Sequence, residues 1–282
     1  LEKKMNCRFI ILVALALAGT APCAKALELS TSLSTPAPLP ADGVIEGNYP
    51  ASTGETAYYF AVDLKAGALA SQIRVMGTDA PKRLWLALLD GGGNKISEYG
   101  LNSGYSDDGD IARNWPVDHS GRYILRVTAK GPELATYRIE LGGSAFAGHT
   151  PSPAAGGYSQ SFLDPTHLGG APAISGAFPA VRTTTTYYFD ADLKAGALSV
   201  QMSMAARKEL GGTKWVMFEV LGPDGDKLAG AELERTFASS SEKTYSLSIN
   251  HSGRYVMRLS IKGTEGATYK VALGGDALAV TN

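Results

Sequence analysis

The stretch Tyr58-Tyr59-Phe60-Ala61-Val62-Asp63-Leu64-Lys65-Ala66-Gly67-Ala68-Leu69 returns later in the chain as Tyr187-Tyr188-Phe189-Asp190-Ala191-Asp192-Leu193-Lys194-Ala195-Gly196-Ala197-Leu198, with ten of twelve positions identical. Period-2 alternation puts Tyr58, Phe60, Val62 and Leu64 on one face and Tyr59, Ala61 and Asp63 on the other, so the stretch reads as a strand whose first face meets a core. Two more blocks recur. His119-Ser120-Gly121-Arg122-Tyr123 returns as His251-Ser252-Gly253-Arg254-Tyr255, and Ala135-Thr136-Tyr137 with Gly142-Gly143 returns as Ala267-Thr268-Tyr269 with Gly274-Gly275. The match runs from Ile45-Glu46-Gly47 against Ile174-Ser175-Gly176 to Ala147 against Ala279. Each unit is long enough to bury its own core, so this is a whole-domain duplication and not a short solenoid period.

Within one unit the same alternation marks Tyr123, Leu125 and Val127, then Tyr137, Ile139 and Leu141, as inward positions; Tyr255, Met257, Leu259, Tyr269, Val271 and Leu273 match them in the second. Further runs at Leu69 to Val75, Leu84 to Leu89, Lys95 to Tyr99 and Ile111 to Val117 complete seven or eight short strands. Asp90-Gly91-Gly92-Gly93-Asn94 and Gly222-Pro223-Asp224-Gly225-Asp226 are turn sequences, because Gly, Asn and Asp accept positive φ. The expected fold is all-β: two tandem antiparallel β-sandwiches of jelly-roll type, at residues 43–147 and 172–280. Residues 148–171, rich in Pro, Gly, Ser and Ala, read as a linker. Residues 27–42 read as a Pro-rich, mobile N-terminal segment, because Pro36, Pro38 and Pro40 deny it both a helix and a sheet ladder.

Residues 1–26 have the pattern of a signal peptide. Lys3, Lys4 and Arg8 precede an apolar run from Phe9 to Ala18, and Ala24-Lys25-Ala26 offers a small-x-small cleavage site. Gly19 and Pro22 break the run before it is long enough to span a bilayer, so no transmembrane anchor is expected in the mature chain. The expected location is secreted or periplasmic. Both cysteines, Cys7 and Cys23, lie in this segment, so no disulfide would staple the mature fold. The 26 basic and 27 acidic residues nearly balance, and loss of Glu2, Lys3, Lys4, Arg8 and Lys25 would shift the balance to 22 against 26. A mildly acidic chain carries no electrostatic footprint for nucleic acid.

Each unit resembles the bacterial pre-peptidase C-terminal domain, a β-sandwich often appended to secreted peptidases. The residues that carry the resemblance are Tyr58, Phe60, Leu64 and Ala66-Gly67, the Leu-rich strand before a Gly turn (Leu84 to Gly93), and the Ser-Gly-x-Tyr strand with the Tyr strand after it (Ser120 to Tyr137). The resemblance implies a sandwich fold and, from some relatives, a calcium role. The family's acidic residues before the aromatic strand have no clear counterpart, since Gly54-Glu55-Thr56 and Thr184-Thr185-Thr186 stand there.

Local motifs for common reaction centres are absent: there is no Gly-x-Ser-x-Gly elbow, no His-Glu-x-x-His helix and no phosphate loop. Asp118-His119-Ser120 reads as a turn whose side chains bond the backbone, since Asn250 replaces Asp118 in the second unit. His119, His149, His167 and His251 show no ligand spacing. Asp107, Asp108 and Asp110 resemble a fragment of a calcium loop, though a solvated acidic loop fits as well, because Ser239-Ser240-Ser241-Glu242 stands in the second unit. No cofactor other than calcium is suggested. Tyr59 and Tyr188, beside Asp63 and Asp192, are expected to point outward and are the candidate ligand-binding residues, through stacking on sugar rings; the competing reading is that they pack on arginines such as Arg122 and Arg126. The expected function is non-catalytic binding or adhesion, with carbohydrate or an envelope polymer or protein as partner and two like domains for avidity. A structural or accessory protein-interaction module, and an enzyme with a dispersed site, are the alternatives.

Overall fold

The computed structural model describes residues 29–50, 54–77, 80–103, 109–132, 134–148, 157–169, 173–179, 184–205, 213–236, 240–263 and 266–278. The signal-peptide reading and Asp107 and Asp108 lie outside these residues. Among the described residues every regular element is a strand. In the first unit these are β1 (Ala37–Pro38), β2 (Val44–Asn48), β3 (Thr56–Leu64), β4 (Gly67–Met76), β5 (Lys82–Leu89), β6 (Lys95–Ser103), β7 (Gly109–Val117), β8 (Gly121–Lys130) and β9 (Thr136–Gly142). The second repeats them as β10 (Thr166–His167), β11 (Ala173–Ala177), β12 (Thr185–Leu193), β13 (Gly196–Ala205), β14 (Thr213–Leu221), β15 (Lys227–Thr236), β16 (Ser241–Ile249), β17 (Gly253–Lys262) and β18 (Thr268–Gly274).

Each unit is a sandwich of one five-stranded and one four-stranded sheet, ordered β1-β3-β8-β5-β6 over β2-β9-β4-β7, and β10-β12-β17-β14-β15 over β11-β18-β13-β16. Alternation does what the sequence pattern requires. Phe60, Leu84, Leu86, Leu125 and Val127 from one sheet meet Leu69, Ile73, Val75, Tyr137 and Ile139 from the other, all buried. Phe189, Phe218, Leu259, Val200, Met202 and Val271 form the second core. The chain is thus all-β with two tandem sandwiches.

The Ser-Gly-x-Tyr motif locks the turn before β8 and β17. Tyr123 Oη donates to the His119 carbonyl (2.7 Å) and the Ala66 amide donates to Ser120 Oγ (3.0 Å), while Tyr255 with His251 and Ala195 with Ser252 repeat both bonds (2.6 and 3.1 Å). This is the backbone-bonding turn expected for Asp118-His119-Ser120 as far as the serine is concerned.

Two boundaries need correction. The Pro-rich segment 27–42 and the linker 148–171 contain ordered parts of the sandwiches, because β1 and β10 add parallel edge strands beside β3 and β12. Prolines do not prevent this at an edge: Pro38 presents its missing N–H away from β3, and Leu39 N–H still donates to the Ala61 carbonyl (3.1 Å). The Tyr59 amide donates to the Ser30 carbonyl and the Tyr188 amide to the Ser159 carbonyl, both at 2.8 Å. The repeat therefore reaches back at least to Ser30 and Ser159, well before Ile45 and Ile174.

Candidate functional site

The four residues proposed for stacking part company. Asp63 and Asp192 are exposed, opposite Arg122 and Arg254 in register. Tyr59 is half-buried over Ala87, Leu89 and Ile124, with Arg126 as its register partner. Tyr188 is fully buried, at 0% exposure, and the expectation that it points to solvent is corrected. It does lie on the outer face of its sheet, but that face is covered. Phe162 packs on it edge-on (5.7 Å between centroids), and the two join Ala70 and Ala112 of the first sandwich in one apolar cluster.

The covering is the contact between the sandwiches, and Asp110 is its centre. The Asp110 carboxylate accepts from Tyr188 Oη (2.7 Å), Gln72 Nε2 (2.9 and 3.1 Å) and Arg74 Nε (3.2 Å). Gln72 also clamps the 160–162 segment, donating to the Gln160 carbonyl (3.1 Å) and accepting from the Phe162 amide (2.8 Å). Ser161 Oγ donates to Glu140 (3.0 Å), and Arg113 reaches the Gly225 carbonyl (2.8 Å) and Asp226 (2.6 Å). Burial, reinforced by the Asp110 carboxylate, holds the Tyr188 phenol protonated well above its usual range. The solvated acidic loop is therefore corrected at Asp110: its side chain is buried and its oxygens serve three donors. Among the described residues no three His, Cys, Asp or Glu side chains converge on a metal position.

Beside this contact lies a cleft of about 510 Å³, walled by Gly100, Leu101 and Asn102 of β6, Asp110 and Arg113 of β7, and Asp226, Lys227 and Arg258 of the second sandwich. Its charges are paired internally. Arg113 bonds Asp226, while Lys227 (3.1 Å) and Arg258 (2.6 Å) share Glu219. Burial opposes the charge on Arg258, but Tyr188, Glu219 and Asp110 outweigh it and its pKa is raised. Such a lining offers many donors and acceptors with little net field.

At the β6 wall the Trp85 indole lies across Gly100, so close that a Cβ there would stand 2.5 Å from Trp85 Cε3. Trp85 is 39% exposed. The ring therefore covers Gly100 and stays partly open to solvent, with Arg83, Asn102 and Arg126 on the same face of the sheet in register. Alternation from Leu84, Leu86 and Leu88 marks Trp85 as outward, a signal available in the sequence. The glycine opposite it is set by strand register, which is not.

No protein-family model matches the chain, and no curated protein sequence matches it. Among solved structures, the CBM22-1–CBM22-2 tandem domain of Paenibacillus barcinonensis Xyn10C is similar at 10% identity over 83% of this chain and 87% of that one, with a TM-score of 0.25. The VP2 subviral particle protein of infectious bursal disease virus is similar at 12% identity over 88% and 70%, with a TM-score of 0.26. Neither lends this chain a ligand.

Proposed function

We propose that the chain is an exported, non-catalytic binding protein made of two domains like the bacterial pre-peptidase C-terminal domain, and that it holds an uncharged, hydroxyl-rich polymer, a glycan of the cell envelope or surroundings. The observation that carries this reading is the Trp85 indole packed across Gly100 and partly open to solvent beside a polar cleft. A sugar ring has an apolar C–H face that suits an aromatic plane and hydroxyls that suit paired donors and acceptors. The internally paired charges of the cleft favour such a ligand over a strongly charged one, since they leave little net potential to attract it. Asn102 of β6 and Arg113 of β7 stand in the cleft wall, and Asn102 is on the same strand as Gly100, on which the Trp85 ring packs. Tyr188 is withdrawn from binding by its burial, so the reading rests on Trp85 and not on the tyrosines of the repeated strand.

A glycan array followed by calorimetry on the strongest polysaccharide tests the reading. Trp85→Ala is expected to abolish binding while the chain keeps its folded circular dichroism spectrum, with a lowered melting temperature because the ring is more than half covered where it packs on Gly100. Undiminished binding in that variant rules out the platform.

A further inference from the structure

The contact between the two sandwiches is heterologous: it joins two different faces, and each sandwich owns both. The first sandwich contributes the outer face of β4 and β7, while the second contributes the 160–162 segment, Tyr188, the β14–β15 turn and Arg258. Repetition leaves one unused copy of each face in the chain. The first sandwich still presents the segment around Leu33, Tyr59, the β5–β6 turn and Arg126, and the second still presents the outer face of β13 and β16.

The unused faces keep part of the chemistry of the used ones. On β13 and β16, Gln201 Nε2 donates to Glu242 Oε1 as Gln72 does to Asp110, while Ser199 and Thr244 replace the small Ala70 and Ala112 that receive Phe162. On the other face, the Ser32 amide donates to Ser30 Oγ (3.2 Å) as the Ser161 amide does to Ser159 Oγ (3.1 Å), so the two segments share one local shape. Gly93 and Gly225 sit at φ 86° and 85° in the matching turns. Leu33 stands where Phe162 stands, yet it is 39% exposed against 5% for Phe162. It is an apolar anchor without its socket. Met217, the counterpart of Trp85, is half-buried and is not a member of the apolar cluster that joins the sandwiches, so the Trp85 platform lies beside this face and not under it.

We infer that the occupant of these faces is a second copy of this chain: the β13–β16 face of one molecule docks on the Leu33–Tyr59 face of the next, repeating the internal contact between chains. A heterologous contact of this kind extends head to tail into filaments or closes into a ring. It is weaker than the internal contact, because Ser203 and Ala272 stand where Arg74 and Glu140 supply charged bonds.

Sedimentation velocity over a range of concentrations tests this on the full chain. The wild type is expected to gain mass with concentration. Leu33→Asp, with Thr31→Lys as a second variant on the same face, and Thr244→Arg on the other, each stay monomeric with an unchanged melting temperature. A mixture of Leu33→Asp and Thr244→Arg chains forms dimers and nothing larger, because each supplies the one intact face that the other lacks. A wild type that stays monomeric, variants that assemble like the wild type, or a mixture that stays monomeric overturns the inference.

Discussion

Tyr188→Phe removes one oxygen from a fully buried side chain and asks what the contact between the sandwiches is worth. The hydroxyl donates to Asp110 at 2.7 Å and has no access to water. A hydrogen bond to a charged group contributes about 1.5–3 kcal/mol. The lower half of that range is expected, because Gln72 and Arg74 continue to serve the same carboxylate. Tyr59→Phe is the internal control: its ring is half-exposed, so the change should cost under about 0.5 kcal/mol. Urea unfolding gives the comparison, with circular dichroism and tryptophan fluorescence as separate probes, because a two-domain chain must be shown to unfold in one step before one free energy is assigned. Buried Trp115 reports on the first sandwich and half-buried Trp215 on the second. A cycle with Asp110→Asn closes the argument, since the two changes should be coupled. Equal costs at Tyr59 and Tyr188, or additivity with Asp110→Asn, would refute the buried bond.

Phe60→Ala and Phe189→Ala should each cost about 3–5 kcal/mol by thermal or chemical unfolding, since both rings are at 0% exposure in matching core positions; a cost below the range at one of them would show that the two cores are not equivalent. Gly225→Ala and Gly93→Ala share the same positive-φ strain, but a Cβ on Gly225 would stand 2.6 Å from the Ala112 carbonyl of the other sandwich, whereas one on Gly93 meets only the end of the Leu33 side chain at 3.0 Å. Gly225→Ala should therefore be the more damaging, and equal melting temperatures would show that the turn does not seat against β7. Burial raises the pKa of Tyr137 to about 12 and holds Tyr49, Tyr99, Tyr188 and Tyr269 higher than the usual 10 as well. The unfolded chain loses these protons first, so their contribution is intact below pH 10 and falls as pH rises through the folded values. Stability that stays flat from about pH 9 to 12 in a urea series would contradict this.

Local periodicity made much of the molecule legible. The repeated Tyr-Tyr-Phe strand, the inward Leu84, Leu86, Leu125 and Ile139, and the turn glycines follow from short-range sterics and burial, which a single strand already expresses. The duplication also told which positions are equivalent, and Phe60 and Phe189 are indeed both buried. Alternation assigns a side chain to a face of the sheet, however, and says nothing of what lies against that face. Tyr59 and Tyr188 occupy the same face of the same strand in two copies, and only the docking of one sandwich on the other buries Tyr188 and leaves Tyr59 half-open. For the same reason Asp110, read as part of an acidic loop, became the hub of a contact whose other members come from residues 160–162, 188 and 258. The indole of Trp85 over Gly100 depends on strand register, and the edge strands at Ala37–Pro38 and Thr166–His167 depend on a neighbour that accepts them. Composition settled which segments are poor in apolar residues, while long-range pairing decided that parts of them are ordered, because an edge strand needs a partner's backbone more than it needs hydrophobic side chains of its own.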